Sequence, residues 1–197
     1  MARKLDEEKR SNILASARTI FGETGYQRTT IKQIAAAAGI AQGTLYTYFA
    51  NKEDLFTAAV EEIWNRVFAG LKQISRGGGS FVDKLLGFTD FGFDLLTEIH
   101  PLLRGMFSEA NRRSLLFERV DEVCEFIGEF FNDARSRGVP FSIEDSAEVR
   151  RFNLRMMVSG VLFRAALSPP EALSDELAAI KTGFIKTISE GTRTESR

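Results

Sequence analysis

The sequence predicts an all-α protein of about nine helices: an amino-terminal helix-turn-helix head and a larger helical body. Three observations predict it. Long stretches carry apolar residues at 3.6-residue spacing, strict apolar/polar alternation is hard to find, and only four prolines interrupt 197 residues. An apolar fraction of 44% with 27% charged residues is ordinary for a globular protein, and the length suits one large domain or two small ones.

The elements follow in order. The first helix is expected over Asp6–Thr24, with Ile13, Leu14, Ala17, Ile20 and Phe21 on one face and Gly25 ending it. Thr30 with Gln33 makes a capping box for a second helix, whose inward face is Ile31, Ile34, Ala35 and Ala38. Gly39 supplies the positive φ of a tight turn. A short third helix follows from about Gln42 to Tyr48. Asn51 with Asp54 caps a fourth, an apolar-striped rod ending near Ile74. Arg76-Gly77-Gly78-Gly79-Ser80 is the clearest break. Beyond it helices are expected over Phe81–Ile99, from Pro101, over Arg112–Arg137, from a Ser142/Asp145 cap to Leu167, and after Ser168-Pro169-Pro170 to about Glu190. The domains are drawn as 1–52 for the head and 53–197 for the body, with the helix over 53–75 bridging into it.

Two short amphipathic helices meeting at a glycine-bearing turn, Ala38-Gly39-Ile40-Ala41, read as a helix-turn-helix. The surrounding residues strongly resemble the TetR family of bacterial transcriptional regulators. The matching pieces are Ile13-Leu14, Ala17, Phe21, Gly25-Tyr26, Thr29-Thr30-Ile31, Ile34-Ala35, Ala38-Gly39-Ile40, Gly43-Thr44-Leu45-Tyr46, Tyr48-Phe49, Lys52-Glu53 and Leu55-Phe56. This pattern is dense and gapless but covers only about the first quarter of the chain. The resemblance implies a DNA-binding head and a variable helical body that binds a small molecule and dimerises. One departure is Ala41, where the family often has a serine or threonine cap, a loss of typically about 1 kcal/mol.

Affinity for duplex DNA comes chiefly from phosphates, and sequence is read at base edges. Gly43 would let the backbone approach a groove closely. Gln42, Thr44 and Thr47 could reach base edges, with Gln42 able to pair with adenine through two hydrogen bonds. Thr29 and Thr30 stand where the second helix begins, a natural phosphate position; Thr30 is equally a plain helix cap. Tyr46 and Tyr48 resemble positions of the family that meet the phosphate backbone, and Lys52 resembles its phosphate-binding lysine. All three tyrosines lie in the first 48 residues, whereas 13 of 17 phenylalanines follow Ser80. A tyrosine has a polar tip suited to a wet interface and phenylalanine does not.

The phenylalanine-rich body could enclose an apolar ligand among Phe88, Phe91, Phe107, Phe117, Phe126 and Phe130; ordinary core packing is the alternative for each. Such a pocket would take a hydrophobic or aromatic effector, fatty-acyl or drug-like. Phe152, Met156, Ser159, Gly160 and Phe163 form one face of the penultimate helix, and Leu177, Phe184 and Ile188 line the last. These are the candidates for a homodimer interface of four helices, partly because the resemblance implies one. Arg155 and Arg164 would pair with acids or hold an anion. His100 reads as a residue at a helix start, and Cys124 as a buried, inert thiol.

Charge divides along the chain. Residues 1–52 carry eight bases against four acids, net +4; the remainder carries 18 against 23, net −5. A basic head on an acidic body suits a protein that touches DNA with one end. One cysteine excludes an internal disulfide framework and fits a reducing cytoplasm. No apolar run follows Arg3-Lys4 as a signal peptide would, and Phe152–Leu167 is too short and too charged to span a membrane. The sequence has no metal-ligand cluster, no phosphate-cradling glycine motif and no nucleophile–base pair, so neither enzyme, metal site nor cofactor is expected. The expected function is a cytoplasmic, homodimeric repressor that holds a palindromic operator and is released by a small hydrophobic effector. The alternative is a DNA-binding protein of the same fold that answers to a protein partner or acts structurally.

Overall fold

The computed structural model describes residues 2–108, 110–139 and 146–193, with side chains over 6–104, 106–107, 116–139, 146 and 148–186. Among the described residues there are eight helices and no strand: α1 (Ala2–Thr24), α2 (Ile31–Ala37), α3 (Gln42–Tyr48), α4 (Lys52–Arg76), α5 (Phe81–Ser108), α6 (Ala110–Ser136), α7 (Ala147–Leu167) and α8 (Pro170–Arg193).

The count differs from nine at Pro101, where a new helix was expected. Instead α5 runs straight through it. A mid-helix proline forfeits one ladder hydrogen bond and crowds the preceding turn, at about 3 kcal/mol. The turn that follows buries Leu102, Leu103 and Met106, and each such side chain contributes about 1.5–3 kcal/mol. Burial therefore outweighs the proline. The Ser142/Asp145 cap lies outside the described residues; α7 begins at Ala147, capped by Ser146, whose side chain accepts from the Val149 N–H.

Two compact units make up the chain: Met1–Arg66 with Ile99–Arg112, and Val67–Glu98 with Arg113–Arg197. The core of the first unit takes Ile13, Leu14, Ala17 and Phe21 from α1, Ile34 and Ala35 from α2, Leu45 from α3, and Leu55, Phe56 and Ala59 from α4. The Phe21 ring meets Phe56 edge-on at 5.0 Å and stacks with Tyr26 at 5.7 Å. Gly25 (φ 76°) turns the chain out of α1, and Gly39 (φ 68°) turns it from α2 towards α3, in the left-handed region that favours glycine.

Gly22 allows α1 to lie against α5. A Cβ added there would stand 2.5 Å from the Pro101 Cβ and 3.1 Å from the Leu102 nitrogen. In an open helix Gly→Ala gains about 1 kcal/mol. Here Gly22→Ala is expected to lose about 1–3 kcal/mol, because backbone would have to move. Thermal denaturation checks the sign, at about 2–4 °C per kcal/mol for a chain of this size.

In the second unit, Ser80 and Asp83 close a reciprocal cap on α5: the Ser80 N–H donates to Asp83 Oδ2 at 2.7 Å, and the Asp83 N–H to Ser80 Oγ at 3.2 Å. These bonds hold the Asp83 carboxyl below the ordinary range. Phe91 rests on bare Gly70, where a Cβ would come within 2.3 Å of its ring. Phe88, Phe126 and Phe130 meet edge-on, at 6.5 Å and 5.0 Å from Phe88, and Phe81 and Phe131 pack on Phe130. Arg155 pairs with Asp121 at 2.8 Å and Arg164 with Glu176 at 2.6 Å. Cys124 is buried, and burial with nearby Asp121 pushes its thiol up to about 11, against the pull of Arg155. Such a thiol is a poor nucleophile. No described helix is long and apolar enough to cross a membrane.

Candidate nucleic-acid interface

The helix-turn-helix is built from local devices. Thr30 caps α2: its Oγ1 accepts from the Gln33 N–H, while Gln33 Oε1 accepts from the Thr30 N–H at 2.8 Å. The turn closes through the Ala38 N–H on Ile34 O at 2.9 Å and the Ile40 N–H on Ala35 O at 3.0 Å. Asn12 of α1 braces it, donating to Ala38 O at 2.9 Å. Ala41 stands at the start of α3 with no side-chain cap, as its methyl dictates. Asn51 Oδ1 accepts from the Asp54 N–H at 2.9 Å and starts α4.

Of the seven residues of α3, only Leu45 is buried. Leu45 and Phe49 anchor the helix to the core, and Gln42, Gly43, Tyr46 and Thr47 face outward. Gly43 is helical, yet a Cβ there would meet nothing within 4 Å. Among the described residues, nothing requires a glycine there. Thr44 is half-buried, and the Thr47 hydroxyl donates back to Thr44 O at 2.7 Å.

Three residues expected at phosphates are engaged elsewhere in this structure. Thr29 is 1% exposed, its hydroxyl 2.8 Å from Gly25 O and 2.6 Å from Thr24 Oγ1. Its side chain serves the α1–α2 connection, because the chain must turn inward there before the cap at Thr30. The Tyr48 hydroxyl donates to Asp6 Oδ1 on α1, and that bond raises its pKa. The Lys52 ammonium donates to the carbonyls of Tyr26 (2.9 Å), Thr29 (3.0 Å) and Gln27 (3.4 Å) and lies 4.4 Å from the centre of the Tyr26 ring. Asn12 and Asp6 escaped the sequence reading, as did Arg10, whose guanidinium covers the Phe49 ring. Their only sequence signal is placement along α1, Asp6 and Arg10 one turn apart.

In the body, the ring contacts gather Phe88, Phe126 and Phe130. Phe117 is exposed, and Phe107 belongs to the first unit, the other five to the second. On α7, Phe152 (62%), Met156 (57%), Phe163 (54%) and Leu167 (62%) stand exposed along one face, with Gly160 open between them and Ser159 half-buried. On α8 the expected face turns inward instead: Leu177 is buried, and Phe184 meets Phe93 of α5 at 6.1 Å. The ion pair of Lys181 with Asp90, 2.7 Å, holds that face against α5. The side chain of Ile188 lies outside the described residues.

Two short helices about a glycine turn, carried on α1 and α4, define a helix-turn-helix protein with an α-helical body. Residues 13–59 match the model of the bacterial regulatory proteins, tetR family. The chain is 33% identical to the HTH-type transcriptional regulator AcrR of Shigella flexneri over 134 residues, 66% of this chain and 57% of that one. It is 30% identical to the HTH-type transcriptional repressor KstR2 of Mycolicibacterium smegmatis over 106 residues, 54% of this chain and 52% of that one. It thus spans little more than half the length of these curated relatives. The fold is similar to the transcriptional regulator FadR of Bacillus subtilis, solved in complex with stearoyl-CoA: TM-score 0.69 at 18% identity, over 92% of this chain and 98% of that one. Residues 13–59 thus belong to the TetR family of bacterial regulatory proteins.

Proposed function

We propose that this chain is a cytoplasmic, homodimeric transcriptional repressor. Its two α3 helices enter successive major grooves of a palindromic operator, and a small hydrophobic effector releases it. Gly43 is the observation that carries the reading. A helical glycine costs about 0.5–1 kcal/mol relative to alanine, and no neighbour in the chain explains it. A surface that must lie flush against another molecule does explain it. Around it, Gln42, Tyr46 and Thr47 offer amide and hydroxyl groups for base edges and phosphates, Thr44 stands half-buried beside them, and Thr30 remains exposed at the start of α2.

The exposed apolar face of α7 supports dimerisation, since contiguous exposed apolar side chains mark interaction surfaces. The aromatic residues of α5 and α6 support an apolar effector, and a similarly folded protein was solved with stearoyl-CoA. A fatty-acyl or similarly long apolar molecule is the first to try. To empty the operator it must bind the released state several kcal/mol more tightly than the DNA-bound one.

Selection of duplexes from a random pool tests the reading, which expects a palindrome with half-sites about one helical turn apart. Gly43→Ala is expected to unfold at a higher temperature yet bind the selected duplex at least tenfold more weakly. Unchanged affinity, measured by fluorescence anisotropy, would remove the argument from Gly43.

A further inference from the structure

We propose that Asp6 is an intramolecular competitor of DNA: in the free chain its carboxylate holds the Tyr48 hydroxyl, the donor that a phosphate takes when duplex binds, and so lowers affinity for any duplex. The inference rests on the DNA-binding reading of α3. A phenol has a single O–H to donate. In this structure that proton goes to Asp6 Oδ1, 2.5 Å away. The bond is the main reason that the Tyr48 pKa is raised, so the proton stays on the phenol. Carboxylate and phosphate oxygens are both anionic acceptors, and they compete for one donor. Engaging a phosphate through Tyr48 releases Asp6 and leaves its carboxylate beside a second anion, where the two repel.

The carboxylate is delivered by a fixed helix. Ile13, Leu14 and Ala17 root α1 in the core. One turn after Asp6, Arg10 covers the ring of buried Phe49, 5.4 Å from its centre. Asp6 and Arg10, neighbours on one face of α1, thus hold two consecutive residues at the end of α3. Tyr46, the other tyrosine of α3, is 48% exposed and has no such carboxylate partner among the described residues. Residues 1–52 carry net +4, and Asp6 is one of their four acids. Phosphate contacts carry no sequence information, so competition for one acts on selected and unselected duplexes alike.

Duplex affinity is measured by fluorescence anisotropy at one salt concentration, since salt alone moves it, for the wild type, Asp6→Ala, Tyr48→Phe and the double variant. Asp6→Ala is expected to bind at least about fivefold more tightly, the scale of one hydrogen bond. The gain is expected to be about fivefold larger with tyrosine at position 48 than with phenylalanine. Loss of a repelling charge acts in both backgrounds and cancels in that ratio. In Tyr46→Phe the full gain is expected to remain, and the selected palindrome and a scrambled duplex are expected to give the same ratio. Equal gains with tyrosine and phenylalanine at 48 would make Asp6 a plain surface charge. Weaker binding by Asp6→Ala would make it a brace for Tyr48. Either result overturns the proposal, as does a gain confined to the palindrome or one that shrinks equally in Tyr46→Phe.

A readout without DNA separates the two readings. With the three tyrosines labelled at Cζ, Asp6→Ala is expected to move one NMR signal of the free protein, the one that Tyr48→Phe removes. No movement would overturn the proposal whatever the protein binds. If the signal moves and the wild type binds neither duplex, the DNA reading falls and takes the competitor role with it. If the wild type binds and the gains are equal, the competitor role falls alone.

Discussion

Phe163→Glu is expected to give a folded monomer whose affinity for the palindromic operator is about 10²–10⁴-fold lower, the range that linking two binding modules supplies. Phe163 sits on the exposed apolar face of α7, more than half exposed in this chain, between Met156 and Leu167. Phe163 is 54% exposed, whereas Leu162, Ala165 and Ala166 beside it on α7 are buried, so the change falls mainly on the exposed face. A glutamate there would meet its symmetry mate or an apolar partner surface in a dimer, and burying an unpaired carboxylate costs several kcal/mol. Sedimentation gives the mass and anisotropy the affinity. In the proposed dimer each subunit holds one α3, so a monomer would read one half-site and lose the effective concentration that tethering gives. A variant that stays dimeric would place the interface elsewhere. A monomer with undiminished operator affinity would remove the case for two-handed binding.

Phe21→Ala is expected to cost about 3–5 kcal/mol, enough to threaten a domain whose net stability is about 5–15 kcal/mol. Phe21 is 1% exposed and touches two aromatic rings from different segments, Tyr26 of the α1–α2 connection and Phe56 of α4. Truncation leaves a cavity that these rings cannot fill, since Tyr26 is held by its hydrogen bond to Glu53 and by Lys52. Chemical denaturation followed by circular dichroism measures the loss. A cost below about 1 kcal/mol would mean that the site collapses freely and that the ring cluster does not brace the head. Phe21→Leu, which preserves most of the volume, should recover much of the difference.

Features of the head that depend on residues within four of one another were legible before any coordinates. The Thr30–Gln33 box, the Asn51–Asp54 cap and the positive φ of Gly39 are all present, because each is a short-range device with a fixed offset. The buried faces of α1 and α2 follow the 3.6 period for the same reason. The absent side-chain cap at Ala41 is equally a local matter.

Long-range features were not legible. Lys52 and Thr29 are both recognisable types at familiar positions, but the backbone carbonyls that Lys52 engages, 23 to 26 residues away, leave no mark in a sequence. Pro101 signals a helix break when only its own turn is considered; the burial of Leu102, Leu103 and Met106 reverses that outcome. Periodicity marks the apolar faces of α7 and α8 alike. Only packing decides that the α8 face, with Leu177 and Phe184, is covered within its own unit while Phe152, Met156, Phe163 and Leu167 stay more than half exposed. The amino-acid order thus determined the helices, their caps and the turn between α2 and α3, since those rest on neighbours a few bonds away. Tertiary structure alone decided which faces and which polar groups remain for other molecules, because availability depends on what the rest of the chain has already covered.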